Sequence, residues 1–94
     1  MVHLRRVGPE RQNGEVVLRF GDRLQVTPPD EPGGWRVTEY PAGILRLDGS
    51  AAAASSHTFE AVAVGRGQIS MASAVDTFTV GILVMRDNVQ RQRP

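Results

Sequence analysis

The side chains with catalytic potential are few and far apart in this sequence. His3 and His57 lie in different halves of the chain, whereas protein metal sites usually draw on three or four clustered ligands. We therefore expect both histidines to be surface residues of strands. A serine–histidine–aspartate set can be named from Ser55 or Ser70 with His57 and Asp76, but no G-x-S-x-G segment accompanies it. These residues predict a protein that is not an enzyme.

The remaining polar residues add no metal or cofactor chemistry. Asp30 and Glu31 are adjacent in a proline-rich segment, where both carboxylates should be solvated and ionised, which does not suit a general acid. Gly65 and Gly67 precede no predicted helix, so they favour a hairpin turn over a phosphate-binding loop. The eleven basic residues are all arginine and there is no cysteine, which excludes lysine Schiff bases, disulfides and zinc–thiolate sites. We predict no cofactor and no metal.

The charges are unevenly distributed along a chain whose net charge is +1. Residues 1–13 and 86–94 hold six of the eleven arginines, whereas residues 14–85 are mildly acidic. Basic ends of this kind are usually solvated, although they can contact nucleic acid or an anionic lipid surface. The body lacks a basic stripe with interleaved aromatic residues, which does not favour a nucleic-acid partner.

Two kinds of apolar segment are absent from the sequence. No apolar run reaches the length of about 18 residues that spans a bilayer, so we predict no membrane span. Residues 1–13 lack the apolar region of a signal peptide. The protein is therefore expected to be either cytoplasmic or an excised segment of an exported protein, and the compartment stays open.

Alternation of apolar and polar residues dominates the pattern, and no helical stripe of period 3.6 is present. Short alternating segments separated by glycine- and proline-rich turns predict an all-β fold, an Ig-like antiparallel β-sandwich of seven or eight short strands. We divide the chain into an N-terminal strand or arm at 1–13, the β-sandwich domain at 14–85 and a disordered basic tail at 86–94. The predicted core contains Phe20, Leu24, Val26, Trp35, Val37, Leu45, Leu47, Phe59, Ala61, Ile69, Met71, Phe78, Val80 and Ile82.

Three segments between the predicted strands are candidates for a binding surface. Residues 28–34 contain three prolines and two glycines, a composition that cannot lie inside a sheet. Residues 49–56 and 72–76 also predict loops, and sandwich domains often bind partners through loops at one end. The predicted partner-binding residues are Pro29, Asp30, Glu31, Pro32, Gly33, Gly34, Trp35, Ser55, Ser56, Ser73 and Val75.

Several segments of residues 15–84 occur in an order that resembles a known family. They are the G-D-x-L-x-V stretch from Gly21 to Val26, the pair Gly34-Trp35, the x-Leu-x-Leu segment at Leu45 and Leu47, the F-x-A-x-x-x-G-x-G-x-I pattern from Phe59 and the closing F-x-V-x-I-x-V strand from Phe78. This order is similar to that of the chagasin family, small Ig-like β-sandwich inhibitors of papain-like cysteine peptidases.

The resemblance implies three loops that insert into a peptidase cleft. The family's asparagine-proline-threonine-threonine-glycine motif is here Pro-Asp-Glu-Pro-Gly-Gly, which keeps the glycine at Gly34. The glycine-rich second loop is replaced by residues 51–56, without glycine, and the arginine-proline-tryptophan loop by residues 72–76. The resemblance therefore covers the scaffold, while the inhibitory motifs are largely absent.

These observations leave several functions open. The first is a non-enzymatic Ig-like module that recognises a protein partner through the loops at one end of the sandwich. One alternative is a divergent chagasin-like inhibitor whose partner is a cysteine peptidase. Another is a structural or assembly domain of a larger exported protein, or an oligomer that pairs through residues 78–85, which are apolar on both faces and predict a central strand or an associating edge. The oligomeric state stays open.

Overall fold

Eight β-strands in two layers account for most of the computed structural model, which describes residues 4–86. The strands are β1 (Leu4–Val7), β2 (Glu15–Arg19), β3 (Arg23–Val26), β4 (Arg36–Glu39), β5 (Leu45–Asp48), β6 (His57–Ala61), β7 (Gly65–Ala72) and β8 (Thr77–Met85), with a single 3₁₀ turn at Pro9–Arg11. No helix within residues 4–86 is long and apolar enough to cross a membrane.

The strands form two four-stranded sheets. The first has the order β1-β3-β6-β5 and the second the order β2-β8-β7-β4. The predicted all-β sandwich is confirmed, but both sheets are mixed rather than purely antiparallel, because β1 pairs with β3 and β2 pairs with β8 in parallel. Alternation along a sequence indicates which segments are strands, but it does not indicate which distant segments become neighbours.

The core lies between the two sheets and is built from alternate residues of each strand. In β8 the buried positions are every second residue from Phe78 to Val84, as the period of a half-buried strand requires. Most of the predicted core residues are buried, and Val37 and Leu47 are partly buried against them. The prediction omitted four residues that complete the core, Val7, Val16, Leu18 and Val84.

The prediction that Phe20 belongs to the core is wrong, since 56% of its surface is exposed. Strand β2 ends at Arg19, and the chain then turns with the amide of Asp22 donating to the carbonyl oxygen of Arg19 at 2.9 Å. Gly21 adopts a φ of +92° in this turn. The turn removes Phe20 from the alternation of β2, so that the side chain leaves the inner face.

Strand β8 occupies an interior position in its sheet, with β2 on one side and β7 on the other. The prediction of a central strand for this apolar run is therefore confirmed. The strand pairs with β7 over residues 77–84 and with β2 over residues 81–85. The pairing of two copies through residues 78–85 stays a prediction.

The two sheets are also joined at one side. The guanidinium Nη1 of Arg5, on edge strand β1, donates to the carbonyl oxygen of Val17, on edge strand β2, at 3.0 Å. The predicted boundaries at residues 13 and 86 stay predictions, although β1 belongs to the first sheet. His3 and residues 87–94 of the predicted tail lie outside the described residues.

Candidate functional site

Three loops meet at one end of the sandwich, which we call the three-loop end. Loop L1 (27–35) follows β3, loop L2 (49–56) follows β5 and loop L3 (73–76) follows β7. A shallow pocket of about 210 Å³ brings them together, since its lining includes Gly33 of L1, Ala53 of L2 and Ser73 of L3. The loops predicted from sequence are thus neighbours in space.

Trp35 anchors L1 in the core. Only 1% of its surface is exposed, and its indole Nε1 donates to the carbonyl oxygen of Pro29 at 2.7 Å. The ring meets Phe78 of β8 edge-on, with centroids 6.2 Å apart. This burial confirms the prediction that Trp35 belongs to the core. It also removes Trp35 from the predicted contact surface, because a buried ring can position the loop but cannot itself contact a partner.

L1 and L2 are joined by a short backbone ladder. The amide of Trp35 donates to the carbonyl oxygen of Ala54 at 2.8 Å, and the amide of Ala54 donates back to Trp35 at 3.0 Å. The amide of Val37 donates to the carbonyl oxygen of Ala51 at 3.0 Å. L2 was predicted as a loop, and its alanines do not form a helix. Ala51 and Ala54 instead hydrogen-bond to the backbone of Val37 and Trp35.

Gly34 lies at the closest approach of L1 and L2. Its φ is +74°, and a Cβ at this position would lie 2.9 Å from backbone atoms of Ala54. The preceding Gly33 also has a positive φ, +83°, but a Cβ there would meet nothing within 4 Å. Of the two glycines, Gly34 is therefore required both by backbone conformation and by space.

The prediction that His57 lies on the surface is wrong, because the residue is buried. Its Nε2 lies 2.7 Å from the carbonyl oxygen of Trp35. The imidazole thus supports the end of L1, and its hydrogen bond goes to a main-chain carbonyl rather than to a serine or aspartate. The signal was present in the sequence, since His57 alternates with Phe59 and Ala61 on the inner face of β6.

L3 is stabilised by its own serine. The hydroxyl oxygen of Ser73 accepts hydrogen bonds from the amides of Val75 at 3.2 Å and Asp76 at 3.0 Å. The amide of Ser73 donates to the carbonyl oxygen of Asp76 at 2.9 Å. These bonds leave Val75 at the tip of the loop with 79% of its surface exposed, the most exposed large apolar side chain of residues 4–86.

A second concavity of about 290 Å³ lies beside L1, between that loop, Ser55 of L2 and Pro9 of the 3₁₀ turn. Its lining includes three prolines together with Asp30 and Glu31. Ser56 is half-buried, and its hydroxyl oxygen accepts a hydrogen bond from the Nε2 of Gln25 at 3.5 Å. Apart from Trp35, the predicted contact residues are exposed or half-buried, and their role in binding stays a prediction.

Comparisons with known proteins bear on the fold. No family model matches the sequence, and no curated protein matches it. Among solved structures, the cysteine protease inhibitor EhICP2 from Entamoeba histolytica is 13% identical, with a TM-score of 0.71 over 89% of this chain and 97% of the inhibitor. Amebosin is 15% identical, with a TM-score of 0.61 over 88% of this chain and 98% of amebosin. At such identities the likeness concerns the fold alone, and the chain has the chagasin-like fold that the sequence resemblance implied.

Proposed function

We propose that this domain is a non-enzymatic inhibitor that binds a papain-like cysteine peptidase through the three-loop end. The observation that carries the proposal is the meeting of L1, L2 and L3 around one pocket. The scaffold beneath them is similar to that of a cysteine protease inhibitor. A rigid body that presents three adjacent loops can block a cleft without offering an extended strand for cleavage.

The loops are ordered by contacts that exist before any partner arrives. Trp35 fixes L1 to the core, its backbone ladder with Ala54 fixes L1 to L2, and Ser73 closes L3. Immobilising a flexible loop on binding costs free energy, so a loop that is already ordered binds more tightly for the same contacts. This preorganisation is what an inhibitor of a rigid peptidase cleft requires.

The chemistry of the three-loop end defines the kind of cleft that it would fit. Val75 supplies an exposed apolar side chain at the end of L3. This side chain contributes most to the binding free energy where it enters an apolar subsite. Asp30 and Glu31 border the concavity beside L1, and charge complementarity then favours peptidases with basic residues beside the cleft. We expect the carboxylates of Asp30 and Glu31 to act mainly on the association rate and the side chain of Val75 to act mainly on the dissociation rate.

The direct test is a titration of the domain into a papain-like peptidase, followed with a fluorogenic substrate. We expect inhibition that is competitive with the substrate, and we expect Val75→Ser to weaken it about tenfold, the equivalent of about 1.4 kcal/mol. Val64→Ser is the matched control, since Val64 is an exposed valine, 53% accessible, at the other end of the sandwich. Absence of inhibition at tens of micromolar would refute the proposal, as would an equal effect of both variants.

A second candidate is a binding module for a protein partner of another class, through the same three loops. The observation in its favour is the sequence of L1 and L3, which lacks most of the motif residues of the chagasin family. This candidate predicts no peptidase inhibition but a captured partner whose binding is weakened by Val75→Ser and not by Val64→Ser. The same pair of variants therefore distinguishes a loop-mediated partner from nonspecific capture.

A further inference from the structure

Arg36 is the only charged residue that lines the pocket between the three loops. It directly follows L1 as the first residue of β4, and it is exposed. Its guanidinium forms no hydrogen bond or ion pair within residues 4–86. By contrast, Arg23, Arg46 and Arg66 each form an ion pair with a carboxylate. The positive charge of Arg36 is therefore uncompensated by any described side chain in contact with it.

The register of the second sheet explains why Arg36 has no partner. Arg36 lies opposite Ala72 of β7, and Ala72 lies opposite Thr77 of β8. Residues directly opposite one another share a face of the sheet and are close enough to interact, but neither of these two carries a charge. In the first sheet, Arg46 lies opposite Glu60 and pairs with it. Arg36 lacks such a carboxylate across the sheet.

The rest of the pocket lining is neutral and rich in hydrogen-bond donors. It consists of proline, glycine, alanine and serine residues, with no carboxylate among them. Three of these residues, Gly33, Ala53 and Ala74, have amides that donate to no acceptor within residues 4–86. A guanidinium and backbone amides can only donate, so the group that suits this pocket is an acceptor. A carboxylate fits best, because its two oxygens match the fork of an arginine.

The carboxylates of the three-loop end lie outside the lining of this pocket. Asp30 and Glu31 line the concavity on L1, to which the loop contributes residues 27–31, whereas it contributes residues 32–34 to the pocket. The Oδ1 of Asp76 accepts the amide of Thr77 at 2.8 Å. L1 thus separates a concavity that carries carboxylates from a pocket that carries an arginine. These acidic neighbours also mean that selection at the pocket depends on direct contact with Arg36 rather than on attraction from a distance.

We propose that the pocket receives a carboxylate side chain of the protein partner and that Arg36 determines this specificity. The source is a side chain rather than a chain terminus, since the residues that border a cleft are internal to their chain. The inference rests on the proposed function for the identification of the partner as a peptidase, which would carry the acidic residue at the rim of its cleft. The carboxylate site itself can be tested without a peptidase.

The first test is a nuclear magnetic resonance titration of the ¹⁵N-labelled domain at constant ionic strength. The probe is N-acetyl-glutamate amide, and the neutral N-acetyl-glutamine amide is its control. We expect the glutamate probe alone to shift the Nε–H signal of Arg36 and the amides of Gly33, Ala53 and Ala74, with a dissociation constant on the order of 10–100 mM. Arg36→Gln should abolish these shifts. Arg66→Gln is the matched control, because Arg66 is an exposed arginine of the same sheet outside the pocket, and it should retain them.

The second test measures inhibition of a papain-like peptidase that has an acidic residue at the rim of its cleft. We expect Arg36→Glu to raise the inhibition constant at least about tenfold. Replacement of the acidic residue of the peptidase by arginine should recover most of this loss, as a double-mutant cycle requires for a direct pair. Both Arg36 variants should melt at the wild-type temperature, because the side chain is exposed and unpaired.

The two tests separate a failure of this inference from a failure of the proposed function. Equal shifts with both probes, no shifts, or shifts that persist in Arg36→Gln would overturn the carboxylate site. Inhibition that Arg36→Glu leaves unchanged would also overturn it, while the proposed function would stand. A domain that inhibits no peptidase but shows shifts that depend on Arg36 would refute the proposed function and support the carboxylate site.

Discussion

The imidazole Nε2 of His57 lies 2.7 Å from the carbonyl oxygen of Trp35. The same oxygen also accepts the amide of Ala54 at 3.0 Å, so both of its acceptor positions are used. A side chain at the start of β6 thereby fixes the last residue of L1, and the first and second loops share one point of attachment.

Replacement of His57 tests this attachment. We expect His57→Leu to lower the free energy of unfolding by about 1–2 kcal/mol, because the buried carbonyl loses a donor. His57→Gln, which can still donate, should lose less. Urea unfolding followed by tryptophan fluorescence measures both, and a larger loss in the glutamine variant would contradict the assigned hydrogen bond.

The two glycines at the end of L1 provide a matched pair. Gly33→Ala places a Cβ in open space at positive φ, so we expect a loss of about 1–2 kcal/mol from backbone strain alone. Gly34→Ala adds a clash with the backbone of Ala54 and should cost clearly more. Thermal melting of both variants checks the order, and equal losses would mean that L1 and L2 can separate at no cost.

Phe20 and Phe78 both alternate with apolar neighbours in the sequence, but their replacement by alanine should change the free energy of unfolding by very different amounts. Phe78 is fully buried, and Phe78→Ala should lower the free energy of unfolding by about 3–5 kcal/mol. Phe20 is largely exposed, so Phe20→Ala should change it by no more than about 0.5 kcal/mol. Urea denaturation of the two variants measures both values, and a large loss for Phe20→Ala would place that ring in the core after all.

Trp35 combines a packing role with a hydrogen bond, and two substitutions separate them. Trp35→Ala should cost about 3–5 kcal/mol, because it empties a large buried volume. Trp35→Phe retains much of the ring but removes the donor to Pro29, so it should cost less. Its effect should be concentrated in L1, visible as faster amide exchange in residues 30–34. Uniformly faster exchange across both sheets would contradict this separation. Since both variants lack the indole, circular dichroism is the stability probe.

The elements best predicted from the sequence are those whose structure is determined by residues close to one another in the chain. The apolar alternation of residues 78–84 indicated the most buried strand, and the prolines and glycines of residues 28–34 indicated a loop. The prediction that Trp35 belongs to the core is confirmed, since a large apolar ring gains most from burial, whereas the prediction that it also contacts a partner is wrong.

The errors concern residues whose environment depends on distant parts of the chain. Phe20 fits the alternation of β2 and is exposed only because the strand ends one residue earlier. His57 was assigned to the surface by its polarity, whereas a carbonyl of Trp35 satisfies it inside the sandwich. The parallel pairing of β2 with β8 could not be predicted either, since nothing local to residues 15–19 refers to residues 81–85.

The interior place of β8 has a consequence for the order of events during synthesis. Within residues 4–86, the last strand to leave the ribosome is also the strand on which the second sheet is assembled. Until it emerges, β2 has no ladder partner and β7 is paired on one side only. Val16 and Leu18 therefore lie on a strand without a ladder partner until residues 81–85 are synthesised, and such long-range sheets close slowly. Chaperones that bind short apolar segments would have their main opportunity in that interval, before residues 77–85 complete the domain.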